Sequence, residues 1–424
     1  MSFPPRIKYG ENPGFCRPEL VSGPGSRIKP GTTTGVVNFI VGRKFFWFSL
    51  AGAKENKSIM HPQAKYFHAF NLFNERIGPM RFKKLLGHFG SLEQAWKNGS
   101  AQDFILAGLE EDLAQEIAVR RPQMDLEKEL AKLAKENIGI VTILDEDYPS
   151  RLKEIYDPPQ IMYIKGELKQ EDEFAIAVVG TRKLSTYGQQ VAMRISRELA
   201  QAGLTIVSGL ALGIDTLAHL AALEQKTRTI AVLGSSIDRF SIFPAQNKSL
   251  AEKIAQNGAV LSEYPMGSAA LPHHFPTRNR IVSGLSLGTL VVEAPQKSGA
   301  MITANSALSQ NREVFAVPGS IFSENSAGPN LLIKNGAKLT ICAQDILEEL
   351  NLQNLTSNIA MAQIAPDNPE EESILKILSH DPLPVDLIVQ ETKMSAAVVN
   401  ATLSIMEMKG KIKNLGGMQY VLAR

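Results

Sequence analysis

Two arginines stand either side of an asparagine in HHFPTRNRIVSGLSLGTLVVEA, the stretch from His273 to Ala294. An apolar helical run follows Arg278-Asn279-Arg280 at once, and then a strand-like run, Thr289 to Ala294. Two fixed positive charges at the mouth of an α/β layer have three uses. They hold a phosphate, pair with carboxylates, or only keep the surface soluble. Residues two apart on a helix point to nearly opposite sides, so both cannot serve one phosphate once the helix has begun. One is expected to face a pocket and the other to brace the loop or pair with a carboxylate, with unequal losses on substitution.

A second cation follows the strand FAIAVVG. Gly180 opens the turn and Thr181 follows, but Arg182 stands where a dinucleotide fingerprint has its second glycine. That glycine lets the backbone approach a pyrophosphate, so the stretch argues against NAD or FAD, and no cofactor is expected. A guanidinium there suits a ligand at the carboxyl ends of the strands. The alternative is an ion pair with Asp215 or Glu293.

Three more strand ends add polar groups. Ser208-Gly209 closes the second strand, and Gly234-Ser235-Ser236 offers backbone N–H groups and hydroxyls after the third. Lys297-Ser298-Gly299 precedes a helix, so a cation and free N–H groups face one spot. Asp215 reads as a helix cap. His219, four residues on, shares its helix face, but without a third ligand in view a structural role is expected and no metal. Arg182, Ser208, Gly234 and Lys297 together point to a phosphate-rich ligand. Such a ligand needs cations for its phosphates and, where it carries bases, flat groups to meet them. Arg182, Lys297 and one of Arg278 and Arg280 supply the charge. Phe275, His273 or His274 supplies a ring, although Phe275 reads equally as core.

The elements that position these residues are legible as pattern. From Phe174 onward, continuous apolar strands (FAIAVVG, LTIVSG, RTIAVLG, AVLSEY, GTLVVEA, EVFAVPG) alternate with helical stretches. That order predicts an α/β fold with a doubly wound parallel sheet. Before it, residues 60–165 read as a helical domain with one strand, IGIVTILD. Within it RIGPMRFKKLLGHFG resembles a helix-hairpin-helix, where Gly78, Lys83 and Lys84 would meet a phosphate; a plain helical bundle is the alternative. The sheet domain spans 166–351, a polar linker 352–369, and a helix triplet with a hairpin around Gly416-Gly417 makes 370–424 a winged helix. Its presumed recognition helix, SAAVVNATLSIMEMKG, carries almost no residue able to reach a base edge. A structural or protein-binding role is expected of it.

Residues 1–59 are rich in Gly and Pro without a sustained period and read as a disordered or misassigned extension, with Met60 as an alternative start. Gly42 to Ala53 has the texture of a weak secretory signal but sits deep in the chain. The 424 residues carry a net charge of only +2, so a nucleic-acid site must be a local patch. Two distant cysteines, Cys16 and Cys342, exclude a disulfide framework and fit a reducing cytoplasm. No apolar run reaches ~20 residues, so no membrane span is expected.

The motifs VVGTR, SGLALGIDTLAH, LGSSID, LSEYP, FPTRNRIVSGLS, VVEAPQKSGAMITA and VFAVPGS follow one another as in the DNA-processing protein A family (DprA, also called Smf). The resemblance covers about Phe174 to Leu350. It implies a Rossmann-like sheet domain between a helical domain of sterile-alpha-motif type and a winged helix. It also implies a homodimeric binder of single-stranded DNA that loads RecA onto incoming DNA in natural transformation, and not an enzyme. By motif, Arg182 is implied as the main phosphate-contacting arginine, with FPTRNR and QKSG lining the same pocket. One departure is visible: many relatives carry a lysine ahead of the Phe-Pro step, and here Pro272 is followed by His273 and His274, which supply less charge at pH 7. The sheet also resembles that of LOG-type phosphoribohydrolases, the alternative reading. Gly288-Thr289 and Glu293 are kept, but the Pro-Gly-Gly before them is missing and the spacing altered.

Overall fold

A computed structural model describes residues 40–41, 44–45 and 61–422, apart from 74–75, 353–365, 367, 379–381 and 410. The expectations for residues 1–59, the signal-like stretch and Met60 lie outside these residues, save two short strands, Ile40–Val41 and Lys44–Phe45, which pair antiparallel. Most of the expected linker lies outside them too.

The apolar runs form one nine-stranded sheet. Its strands in chain order are β1 (Gly139–Thr142), β2 (Ile161–Gly166), β3 (Ala175–Val179), β4 (Thr205–Ser208), β5 (Thr229–Leu233), β6 (Ala259–Ser262), β7 (Gly288–Val291), β8 (Glu313–Ala316) and β9 (Lys338–Leu339). They lie side by side as β9-β8-β7-β3-β4-β5-β6-β2-β1. The seven from β9 to β6 run parallel; β2 and β1 join antiparallel at the edge. The parallel part starts at β3, winds out to β6, then crosses back to β7 on the other side of β3. The β3/β7 pair is therefore the switch point, outside whose carboxyl ends such sheets hold ligands.

Helices cover both faces, which is why the strands lack polar alternation. Ala175, Ala177 and Val179 pack against α11 (His274–Gly284), α12 (Gly299–Ser309) and α13 (Glu324–Lys334). Ile176 and Val178, pointing the other way, pack against α8 (Thr186–Gln201), α9 (Ile214–Glu224) and α14 (Ala343–Glu349).

The structure moves one expected boundary. Residues 139–142 and 161–165, assigned from sequence to the helical domain, belong to β1 and β2 of the sheet. Their side chains also close the core of the helices before them, α1 (Ala64–Asn71) through α6 (Leu126–Lys135). Tyr163 of β2 accepts from the Asn71 amide at 3.1 Å and stands 2.8 Å from His68 Nδ1. Helical layer and sheet thus share a core, and a cut at 165/166 would divide it. At the C-terminal end, α15 (Pro369–Leu375), α16 (Val385–Thr392) and α17 (Ala396–Met408) pack with three short antiparallel strands around Ile388, Leu403 and Tyr420, a winged helix.

Candidate nucleic-acid interface

The switch point is built by glycines. Thr181 N–H donates to the Glu293 carbonyl at 2.6 Å, so the loops leaving β3 and β7 run together for one further residue. A Cβ on Gly180 would stand 2.5 Å from Ile214 and 2.8 Å from the Glu293 carbonyl. Gly213, at φ +86°, lies so close to Thr181 and Arg182 that no side chain fits there. The effect is to lift Arg182 out of the sheet. Its side chain is exposed, and its guanidinium lies 5.5 Å from the centroid of the Phe275 ring. Phe275, on the first turn of α11, lies over Gly234, whose missing Cβ would meet the ring at 3.0 Å. The ring is half-buried, between the two readings its sequence allowed. Among the described residues Arg182 is ion-paired with neither Asp215, which accepts from the N–H groups of Gly209 and Ala211, nor Glu293, which accepts from Ser185.

Arg278 and Arg280 take the carboxylate-and-brace reading, both of them. Arg278 is 5% exposed; its Nη1 donates to the Gly209 carbonyl at 2.7 Å and to the Val232 carbonyl, and its Nε to Asn279 Oδ1 at 3.2 Å. A Cβ on Gly209 would collide with this guanidinium and with Asp215. Burial pulls the Arg278 pKa down to about 10, against the pull of Asp215, and the nearby charge of Arg182 adds to the fall. Arg280 turns the other way. Its Nε pairs with Asp157 at 2.9 Å and its Nη2 with both oxygens of Glu263 at 2.8 and 2.9 Å. Burial opposes its charge, yet the two carboxylates hold its pKa above the ordinary value. The opposite directions follow from the spacing, and both guanidiniums are buried and engaged, one by backbone carbonyls and the other by carboxylates. Helix α11 begins at His274, so both arginines are already inside it and point inward.

The remaining predicted residues divide into backbone and side-chain contributors. The Ser208 hydroxyl donates to the Val178 carbonyl at 2.6 Å inside the sheet, and the Ser235 hydroxyl donates to the Ser236 carbonyl at 3.2 Å; both residues are buried. Neither hydroxyl is offered to a ligand. Asn279 donates to the Gly299 carbonyl at 3.1 Å and ties α11 to the start of α12. Ser298 sits at the N-cap of α12 without a capping bond, and Lys297 before it is exposed. Asp215 is not the cap of α9; it accepts from the N–H groups of Gly209 and Ala211, and burial raises its pKa against the pull of Arg278. His219 is buried beside the Thr229 hydroxyl at 2.7 Å, and burial lowers its pKa to about 3. Among the described residues no group of three or more His, Cys, Asp or Glu is placed to hold a metal.

Glu293, the residue an acid/base reading would need, is buried, and its carboxylate accepts from Ser185 N–H at 3.0 Å and Ser185 Oγ at 2.6 Å, at the start of α8. Gly188 has no side chain because this carboxylate fills the space. In the helical layer Lys83 donates to the Tyr156 carbonyl at 3.2 Å and Lys84 to the Gly108 carbonyl at 2.8 Å. Gly78 caps α2 (Pro79–Phe89) beside a cleft of about 410 Å³ that Arg280, Tyr264 and His273 also line.

Sequence reasoning named Gly234, Ser235 and Ser236 in the loop after β5 but missed its aromatics. Phe243 is 46% exposed and its ring lies 5.8 Å from that of Phe275, tilted by 50°. The signal was present as two aromatics three apart, Phe240 and Phe243, in a segment bounded by Gly234 and Pro244.

Comparison with known proteins matches residues 139–351 to the family model described as DNA recombination-mediator protein A, and residues 360–418 to the DprA winged helix domain. The match begins at Gly139, the first residue of β1. Protein Smf of Synechocystis is 35% identical over 380 residues, covering 81% of this chain and 95% of that protein. The DNA processing protein DprA of Bacillus subtilis is 43% identical over 231 residues, 54% of this chain and 77% of that protein. The crystal structure of DprA from Streptococcus pneumoniae superposes with a TM-score of 0.58 at 37% identity, covering 67% of this chain and 97% of that one. No helix among the described residues is long and apolar enough to cross a membrane.

Proposed function

Because the chain belongs to the DNA recombination-mediator protein A family, we propose that it binds single-stranded DNA along the carboxyl edge of its sheet and delivers that strand to RecA, in natural transformation and in recombination generally. The observation that supports this is Arg182, an exposed cation held over an aromatic ring at the switch point. A groove that tracks single strands combines cations for phosphates with ring faces for bases. Arg182, its exposed neighbour Lys183 and Lys297 supply the charge, and buried Arg278 adds positive field beneath them. The backbone of Gly180, Thr181, Gly209, Gly234, Ser298 and Gly299 shapes the surface on which they stand. Two copies joined through the sheet domain would set two such edges side by side and lengthen the tracked strand.

The chain acts in the cytoplasm as a binding protein and not as a catalyst, without a cofactor. The alternative, a nucleotide phosphoribohydrolase, needs a free carboxylate where Glu293 is engaged at the start of α8. The test is binding to labelled single and double strands across salt, with and without RecA. Preference for the single strand, with affinity falling as salt rises, is expected. Equal binding to duplex, or affinity indifferent to salt, would overturn the reading.

A further inference from the structure

The loop that follows β5 is held rigid at both ends and turns its aromatics outward. Asp238 is buried; one of its carboxylate oxygens accepts from the N–H groups of Phe240 at 3.1 Å and Ser241 at 3.2 Å, and the other from Gly267 N–H at 3.0 Å. Ile242 and Pro244 anchor the far end in the core. Between these anchors Phe240 is 84% exposed and Phe243 46% exposed. Ordinary burial energetics disfavour two exposed phenylalanines on an ordered loop, since each fully buried ring would be worth about 1.5–3 kcal/mol. Phe243 is also not placed at random. Arg182, Phe275 and Phe243 form a row, cation to ring at 5.5 Å and ring to ring at 5.8 Å.

We propose that Phe243 is a base-stacking residue that takes the nucleotide next to the one at Phe275, with Phe240 on the same loop serving the strand further along. This rests on the reading of the edge as a single-strand site and names what that site selects: at least two consecutive unpaired bases with their faces free. A duplex buries those faces in its own stack, so the row discriminates by base exposure where Arg182 and Lys297 discriminate only by charge. Stacking is sequence-tolerant, because every base has a π-face. The loop therefore adds affinity for single strands without reading their sequence.

The experiment is titration of a fluorescent oligothymidylate, and of the same strand with abasic sites, into wild-type protein, Phe243→Ala, Phe243→Trp and Arg182→Ala at several salt concentrations. Expected for Phe243→Ala is a loss of about fivefold or more on the thymidylate strand, the low end of one base–aromatic stack. Its salt slope should be unchanged, its loss on the abasic strand small, and binding kept in Phe243→Trp. A 2-aminopurine reporter in the strand should be quenched by wild-type protein and less by Phe243→Ala, with thermal unfolding confirming that the variant is folded. Wild-type affinity in Phe243→Ala alongside a loss in Arg182→Ala overturns the stacking role and leaves the single-strand site standing. Equal losses on both strands also overturn it. No binding by wild-type protein overturns both.

Discussion

The guanidinium of Arg182 lies 5.5 Å from the centroid of the Phe275 ring, joining a cation from the β3 loop to an aromatic from α11 in one surface. Among the described residues no carboxylate is ion-paired with Arg182; Asp215 and Glu293 are engaged elsewhere. An exposed cation–π arrangement of this kind is worth only about 0.5–1 kcal/mol, so it positions the two groups more than it stabilises the fold. Arg182→Ala should weaken single-strand binding for all sequences and flatten the dependence of log K on log salt by ~0.7, the contribution of one phosphate on a single strand. Phe275→Ala should weaken binding with the slope intact. Fluorescence anisotropy across salt separates the two.

Arg278 and Arg280 should behave as structural residues. Removing one partner of a buried pair leaves the other uncompensated and costs about 3–5 kcal/mol. Arg280→Ala strands Glu263 beside Asp157, and Arg278→Met strands two backbone carbonyls and Asp215. Urea denaturation should record a clear loss of stability in both. Where the variants remain folded, the salt slope of binding should fall by less than in Arg182→Ala.

Glu293→Ala should lower the thermal midpoint and change no catalytic rate. Its carboxylate makes two bonds to Ser185, and hydrogen bonds to charged groups contribute about 1.5–3 kcal/mol each. Wild-type protein incubated with nucleoside monophosphates should release no base. Base release that disappears in Glu293→Ala would revive the hydrolase reading.

Stability should fall as pH drops below neutrality. Burial lowers the pKa of His219 to about 3 and of His68 to about 4, from 6.5 in the unfolded chain. Both are neutral in the folded state, so the unfolded chain binds more protons as pH falls through 6.5 and is favoured. Their stabilising contribution is whole above that value and is lost towards the folded pKa. Each histidine adds a slope approaching ~1.4 kcal/mol per pH unit in that window. Urea midpoints taken at intervals below pH 6.5 should fall accordingly, and His219→Gln should flatten the curve.

Much of the fold was legible because its signals are local. Both faces of the sheet are covered, so strands such as AIAVV and TIAVL read as unbroken apolar runs between helical stretches. Gly180 and Gly209 marked turns, and Arg182 stood out as a departure from the dinucleotide glycine pattern. Residues 139–165 misled because β1 and β2 pair antiparallel with a sheet whose other strands come later in the chain, and pairing across that distance leaves no local trace.

The sequence by itself determined which residue types gather at the carboxyl edge, because strand ends and crossovers fix where each loop emerges. Only the tertiary structure decided which of them keep their charge for a ligand. Arg182 and Arg280 have the same side chain in the same edge region, yet one stands over a ring in solvent and the other is enclosed by Asp157 and Glu263, residues 123 and 17 positions away. Charge belongs to the residue, but its availability belongs to the neighbours, and those are chosen by packing. The same reason kept Phe243 hidden: its place in the row depends on α11 bringing Phe275 over Gly234, from the other side of a crossover.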